Sequence, residues 1–113
     1  MTKHKVVLVP FPFDDLTASK VRPAVCLTGS IGQHRHVIVA FITSRIPLAL
    51  LTSDFVIDVD DDGFSETGLR FSSALRLHRL MTLSTDIIER ELGRLPKHMG
   101  LQVESRLRTL FEL

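Results

Sequence analysis

The chain has 113 residues, of which 44% are hydrophobic and 24% are charged, values typical of one folded domain with a core of its own. Its 14 Lys and Arg nearly balance 13 Asp and Glu to a formal net charge of +1, which excludes a bulk field that would hold a polyanion non-specifically. The single cysteine excludes an internal disulfide and no apolar run has the length of a membrane span, so we expect a cytoplasmic protein without membrane contact and with one domain over residues 1–113.

The first predicted element is a strand over Lys5–Pro10, a β-branched run closed by a proline. Pro10 and Pro12 then interrupt regular structure, because proline lacks the backbone N–H that both helices and sheets use. We therefore expect a loop after this strand that carries two exposed or half-exposed aromatic rings, Phe11 and Phe13.

A β-hairpin is predicted next. Its first strand runs from about Arg22 to Thr28, and the polar segment Gly32–His36 forms its tip. The segment His36–Thr43 is the most apolar of the chain and is rich in Val and Ile, which predicts a central strand buried on both faces.

Two further strands follow. In residues 54–63 the apolar residues Phe55, Ile57 and Val59 alternate with other residues before an acidic turn, a pattern typical of a half-buried strand. Ser73–Leu83 alternates in the same way, so a strand is favoured there over a helix.

The C-terminal part predicts two helices. Ser84 or Thr85 is suited to cap a helix over residues 86–92, and Pro96 is suited to begin a second one with a regular apolar stripe. The stripe consists of Met99, Val103, Leu107 and Leu110. The fold class is therefore predicted as mainly β (α+β), a small barrel or curled antiparallel sheet with C-terminal helices packed on it.

No metal site and no cofactor are predicted. His34 and His36 flank a cation, Arg35, and are better interpreted as a solvated hairpin tip than as metal ligands. The acidic run between Asp58 and Asp62 lacks the twelve-residue spacing of a calcium loop and is interpreted as a turn.

The residues that remain for chemistry are Arg22, Thr43 and Ser44. If the two strands of the hairpin pair in antiparallel fashion, the start of the first lies beside the end of the second, so these three residues share one rim. The alternative is an ordinary rim arginine that pairs with a nearby carboxylate, Asp14 or Asp15, and the pattern alone favours neither interpretation.

Cleavage of RNA by its own 2′-hydroxyl is a reaction that needs little beyond an arginine and hydroxyl groups. The nucleophile is already tethered beside the phosphorus, so no metal-bound water is required. A guanidinium binds two phosphate oxygens at once, and a hydroxyl such as that of Thr43 holds a non-bridging oxygen. Because arginine carries protons poorly, we weigh His78 for proton transfer, beside its simpler interpretation as a solvated strand residue.

Three blocks of the sequence resemble the MazF/PemK family of endoribonuclease toxins from type II toxin–antitoxin modules. The blocks are KVVLVPFPFDDLTASKVRPAVCL, VIVAFITS and SSALRLHRLMTLSTDII, and they occur in the family's order over about residues 5 to 90. The resemblance implies an SH3-like barrel, a homodimer, and metal-independent, sequence-selective cleavage of single-stranded RNA (mRNA) to a 2′,3′-cyclic phosphate and a 5′-hydroxyl. It also implies that Arg22 and Thr43 are the catalytic residues.

The resemblance extends to the RNA groove and to a second partner. Phe11 and Phe13 lie in the loop that flanks the groove in the family, where aromatic rings stack on bases, although rings beside prolines are as often simply packed. The other residues predicted to contact RNA are Lys20, Ser44, Arg45, His78 and Arg79. The alternative for Lys20, Arg45 and Arg79 is that each is a solvated surface cation. A cognate antitoxin is expected to cover the same groove with its C-terminal segment.

Two other functions remain open on the sequence alone. Related barrels inhibit DNA gyrase by protein contact, and such a toxin would neither cleave RNA nor depend on Arg22. A non-catalytic relative would bind RNA or an antitoxin peptide without turnover.

Overall fold

The computed structural model of the chain describes residues 2–11 and 20–113, and it contains six strands and one α-helix within these ranges. Phe13 lies outside the described residues. The elements are β1 (Lys5–Phe11), β2 (Lys20–Cys26), β3 (His36–Thr43), β4 (Asp54–Ile57), β5 (Ser73–Ser84), β6 (Arg90–Arg94) and α1 (Lys97–Leu110), with short 3-10 turns at Phe64–Thr67 and Thr85–Ile87.

The strands form a single antiparallel sheet in the order β4-β5-β3-β2-β1-β6, which curls into a half-barrel. The predicted mainly β class is thus confirmed, as is the hairpin of β2 and β3, whose tip is closed by reciprocal hydrogen bonds between Ile31 and His36. One C-terminal α-helix packs on the sheet, where the sequence predicted two.

The central strand β3 is buried on both faces, as predicted. Val37, Val39 and Phe41 belong to a cluster on one face, while Ala40 and Ile42 belong to a larger cluster on the other. Because successive side chains of a strand point to opposite faces, an almost continuous apolar run is what a strand covered on both sides requires.

The helix predicted over residues 86–92 is wrong. Ser84 does accept a hydrogen bond from the N–H of Asp86, as a cap would, but the chain makes only the 3-10 turn at Thr85–Ile87. It then enters β6, which pairs with β1. Local capping chemistry starts a helical turn, and pairing with the open edge of β1 overrides it within a few residues.

The strand predicted within residues 54–63 is shorter than the alternation of its apolar residues indicated. β4 ends at Ile57, and Val59 is exposed in the turn that follows. This turn is closed by the side chains of Asp58 and Asp61, which accept hydrogen bonds from backbone N–H groups of the same segment. The carboxylates therefore end the strand before Val59 can join it.

Helix α1 follows Pro96, as predicted, and buries Met99 and Val103 against the larger cluster. Its Arg106 donates hydrogen bonds to the backbone oxygens of Thr52 at 2.8 Å and Asp54 at 3.1 Å, which ties the helix to the start of β4. In the described ranges, no helix has the length and apolarity needed to cross a membrane.

Cys26 is fully buried in β2, and burial raises the pKa of its thiol to about 11 from an ordinary 9.0. At about pH 8 the folded protein then holds about a hundredfold less thiolate than an unfolded chain. We expect iodoacetamide to leave the native protein unmodified over minutes and to label it fully in guanidinium chloride, as read by intact mass. Equally rapid labelling in both conditions would show that β2 opens readily, contrary to its burial.

Candidate functional site

The pairing of β2 with β3 stops before either strand ends, and Pro23 is the reason. The N–H of Leu27 donates to the carbonyl of Ile38 at 2.8 Å, so alternate residues of β2 counted from Leu27 direct their backbone groups toward β3. Pro23 occupies such a position and has no N–H to donate. The last paired residues are accordingly Ala24 and Phe41, and a cleft opens beyond them.

Arg22 and Thr43 face each other across this opening. The register that pairs Ala24 with Phe41 places Arg22 opposite Thr43 when it is continued by two residues. Both residues, together with Ser44, line a cleft of about 320 Å³, which we call the Arg22 cleft. The structure therefore brings the three residues of the predicted rim together.

The Arg22 cleft is strongly cationic although the whole chain has a net charge of only +1. Five of the described residues that line it carry a positive charge, and none carries a carboxylate. The five are Lys20, Arg22, Arg45, Arg76 and Arg79. Cations that converge on one concave surface focus a positive potential there and attract a phosphate group.

The Thr43 side chain is held in a fixed position at the rim. Its Oγ1 accepts a hydrogen bond from the N–H of Arg45 at 3.1 Å, while its separation of 3.5 Å from the Arg45 carbonyl is at the outer limit for a donated bond. The hydroxyl proton of Thr43 can therefore turn toward a ligand in the cleft. The N–H of Arg45 is already used by Thr43 and does not contribute to an anion site.

Arg76 is a cation of the cleft that the sequence pattern did not single out, because alternation within β5 does not show which residue of another strand it meets. β5 holds three extra residues relative to β3 between the pairs Ala40–Leu80 and Phe41–Arg76. Residues three apart in a regular strand point to opposite faces. The irregularity allows Arg76 and Arg79 to line the same cleft.

A buried carboxylate orients Arg76. The side chain of Asp54 is fully shielded from solvent, and its two oxygens accept hydrogen bonds from Nε and Nη2 of Arg76 at 3.1 and 3.3 Å. One of these oxygens also accepts a hydrogen bond from the N–H of Leu51 at 2.8 Å. Because Asp54 binds one edge of the Arg76 guanidinium, the side chain has fewer rotamers available. Its remaining N–H groups therefore point in a fixed direction.

The other predicted contact residues are distributed as follows. His78 lies in a neighbouring cleft, which shares Phe41 and Arg79 with the Arg22 cleft, so the described residues place no histidine in the Arg22 cleft itself. Phe11 is the last residue of β1, not part of the loop. The loop residue Phe13 and the carboxylates Asp14 and Asp15 lie outside the described residues.

The histidine pair and the acidic segment form turns. The rings of His34 and His36 lie 5.9 Å apart at the exposed hairpin tip. Within residues 2–11 and 20–113, no three His, Cys, Asp or Glu side chains converge as a metal site would require.

Comparison with known proteins gives one family match. The sequence pattern described as "PemK-like, MazF-like toxin of type II toxin-antitoxin system" matches residues 2–111. No curated protein sequence matches the chain.

The fold is similar to that of several solved structures, of which three follow. "Mycobacterium tuberculosis toxin MazF-mt6" is 19% identical, with a TM-score of 0.73 over 96% of this chain and 97% of that one. "Endoribonuclease in complex with its cognate antitoxin from Mycobacterial species" is 13% identical, with a TM-score of 0.72 over 100% and 96% of the two chains. "Endoribonuclease from Mycobacterial species" is also 13% identical, with a TM-score of 0.68 over 98% and 91%. At these identities the likeness shows a shared fold.

Proposed function

Because the chain belongs to the PemK-like, MazF-like family of toxins from type II toxin–antitoxin systems, we propose that it is an endoribonuclease that cleaves single-stranded RNA in the Arg22 cleft. The observation that carries the proposal is the register of β2 and β3, which sets Arg22 opposite Thr43 in a cleft rich in cations. The two solved structures that are named endoribonucleases and share the fold support it.

The proposed reaction is an attack of the RNA 2′-hydroxyl on the adjacent phosphorus. The O2′–P bond forms, the P–O5′ bond breaks, and the products carry a 2′,3′-cyclic phosphate and a 5′-hydroxyl. The proton lost by the 2′-hydroxyl balances the proton that the 5′ oxygen gains. The substrate supplies its own nucleophile, so the protein has only to hold the phosphate, stabilise charge and assist proton transfer.

The residues of the cleft divide this work according to their chemistry. The guanidinium of Arg22 binds two phosphate oxygens and stabilises the charge that grows on them in the transition state. The hydroxyl of Thr43 donates to a non-bridging oxygen. Lys20, Arg45 and Arg79 contact the flanking phosphates, which carry no sequence information by themselves.

We propose the same partners that members of such modules require. A cognate antitoxin covers the cationic cleft with a segment that orders on binding, as the antitoxin complex of one structural relative suggests. A homodimer is the proposed assembly. The antitoxin is proposed to compete with RNA for the cleft, and the second protomer to organise the groove that RNA occupies. Neither partner alters the chemistry assigned to Arg22.

The decisive test is cleavage of a long, weakly structured RNA by the purified protein in excess EDTA. We expect discrete cuts at preferred sequences, with cyclic phosphate and 5′-hydroxyl ends identified by mass spectrometry and by the failure of the 5′ ends to ligate without prior phosphorylation. Thr43→Val should lower the rate about 100-fold, since it removes one hydrogen-bond donor to the developing charge, and Thr43→Ser should retain most of the activity. An intact RNA at high protein concentration, or cleavage that EDTA abolishes, would contradict the proposal.

A further inference from the structure

A second cleft adjoins the strand ends that carry Arg22 and Thr43. Its volume is about 260 Å³, and both residues line it as well as the Arg22 cleft. Arg70, Phe71 and Arg90 also line it, and we call this space the Phe71 cleft. A ligand that passes over Arg22 and Thr43 therefore runs from one cleft into the other.

Phe71 is 67% exposed, on a backbone that is held in place by hydrogen bonds. Its carbonyl accepts a hydrogen bond from Oγ of Ser73 at 2.8 Å, and Oγ of the intervening Ser72 accepts one from the N–H of Val59 at 2.9 Å. Single exposed apolar residues are common on protein surfaces. Phe71 differs from them because it shares a concave site with three arginines, Arg22, Arg70 and Arg90.

The turn that precedes Phe71 is built against β6. Gly68 has a φ of 74°, and a Cβ at this position would lie 2.1 Å from the carbonyl oxygen of Leu92. Only glycine permits both this conformation and this close approach. The turn thus sets the segment containing Arg70 and Phe71 beside Arg90 of β6, where these residues line one cleft.

An aromatic face beside guanidinium groups is the combination that single-stranded RNA recognition uses. Unpaired bases stack on aromatic rings, and arginines bind the phosphates between them. An apolar peptide would not need three arginines around one ring, and a simple anion would not need the ring. The two features together favour a nucleotide.

We propose that the Phe71 cleft holds the nucleotide next to the scissile phosphate, with its base stacked on Phe71 and its phosphate bound by Arg70 and Arg90. This inference rests on the proposed function, since it takes the scissile phosphate to lie at Arg22 and Thr43. The stacked base takes no part in the bonds that change and binds equally in the substrate and the transition state, so loss of the stack should raise KM and leave kcat nearly unchanged.

The test measures binding of a fluorescein-labelled pool of random-sequence RNA whose 2′-hydroxyls are all methylated, so that no cleavage can occur. We expect Phe71→Ala to weaken binding roughly 10-fold and Phe71→Tyr, which keeps the aromatic face, to bind as the wild type does. Arg70→Ala and Arg90→Ala should each weaken binding and reduce its dependence on salt. The matched controls are Phe111→Ala and Arg108→Ala, exposed residues at the end of α1, which should leave binding unchanged.

A second measurement identifies the nucleotide. After the preferred cut is mapped, oligonucleotides with one abasic residue are tested at each position around it. One abasic position next to the cut should raise KM about as much as Phe71→Ala does, and combining the two changes should add little, because both remove the same stack.

The outcomes separate the inference from the proposed function. If the wild type cleaves RNA and Phe71→Ala neither weakens binding nor raises KM, the inference is overturned and the nuclease assignment stands. If the wild type cleaves no RNA, the nuclease assignment fails, and the methylated pool still decides whether Phe71 contributes to RNA binding. Equal losses in Phe71→Ala and in the Phe111→Ala control would overturn the inference in either case.

Discussion

Replacing Arg22 with alanine is expected to lower kcat at least ~1,000-fold, a loss comparable to that of a charge-stabilising arginine in other phosphoryl-transfer sites. Arg22 faces Thr43 beyond the point where β2 and β3 cease to pair with each other, and the scissile phosphate is proposed to bind there. Arg22→Lys keeps the charge but loses the planar fork, so we expect an intermediate activity. The measurement is single-turnover cleavage of an oligonucleotide that spans the mapped cut.

The control for this prediction is a second exposed arginine. Arg108→Ala removes the same side chain from α1, far along the chain from the cleft, and should cleave RNA as the wild type does. Circular dichroism should show both variants folded, since Arg22 is exposed and its loss creates no cavity. An Arg22→Ala variant with wild-type kcat would place the chemistry elsewhere in the molecule.

Among the single variants, Asp54→Ala is expected to lower the free energy of unfolding most, by about 3–5 kcal/mol. The reason is that Arg76, whose side chain is largely buried, loses the carboxylate that pairs with it. The side chain of Arg76 is only 23% exposed, so water replaces the carboxylate incompletely. Thermal unfolding should then occur roughly 10–20 °C lower than in the wild type. The same variant should cleave RNA more slowly even where it is folded, since Arg76 would no longer be held toward the cleft.

An exposed ion pair provides the matched control. Arg35 and Asp86 also form an ion pair, but their side chains are 62% and 68% exposed, so solvent screens the interaction whatever its geometry. Asp86→Ala should therefore cost less than about 1 kcal/mol. Equal losses from Asp54→Ala and Asp86→Ala would show that burial does not strengthen the Asp54–Arg76 pair.

The double variant Asp54→Leu with Arg76→Leu separates stability from function. Two apolar residues in place of a buried ion pair should recover most of the stability lost in Asp54→Ala. Cleavage should stay low, because the cleft loses one of its cations. Recovery of both stability and activity would show that Arg76 has no role in binding RNA.

The sequence by itself determined the β-hairpin and the position of the rim. The burial of β3 on both faces, the polar tip at Gly32–His36 and the missing N–H of Pro23 are properties of short segments. Antiparallel pairing then places the start of one strand beside the end of the other. The local pattern was sufficient to place Arg22 and Thr43 on one rim, because the two strands of a hairpin are neighbours in the sequence.

Only the tertiary structure decided the features that depend on distant segments. β6 replaced the predicted helix because β1, about 80 residues earlier, offered an unpaired edge. Arg76 reached the cleft because β5 carries three extra residues relative to β3, a register that alternation within one strand cannot show. Phe71 came to line a cleft with Arg22 because the turn at Gly68 packs against Leu92. Register and edge pairing are set by contacts between whole strands, so a window of neighbouring residues carries no signal for them.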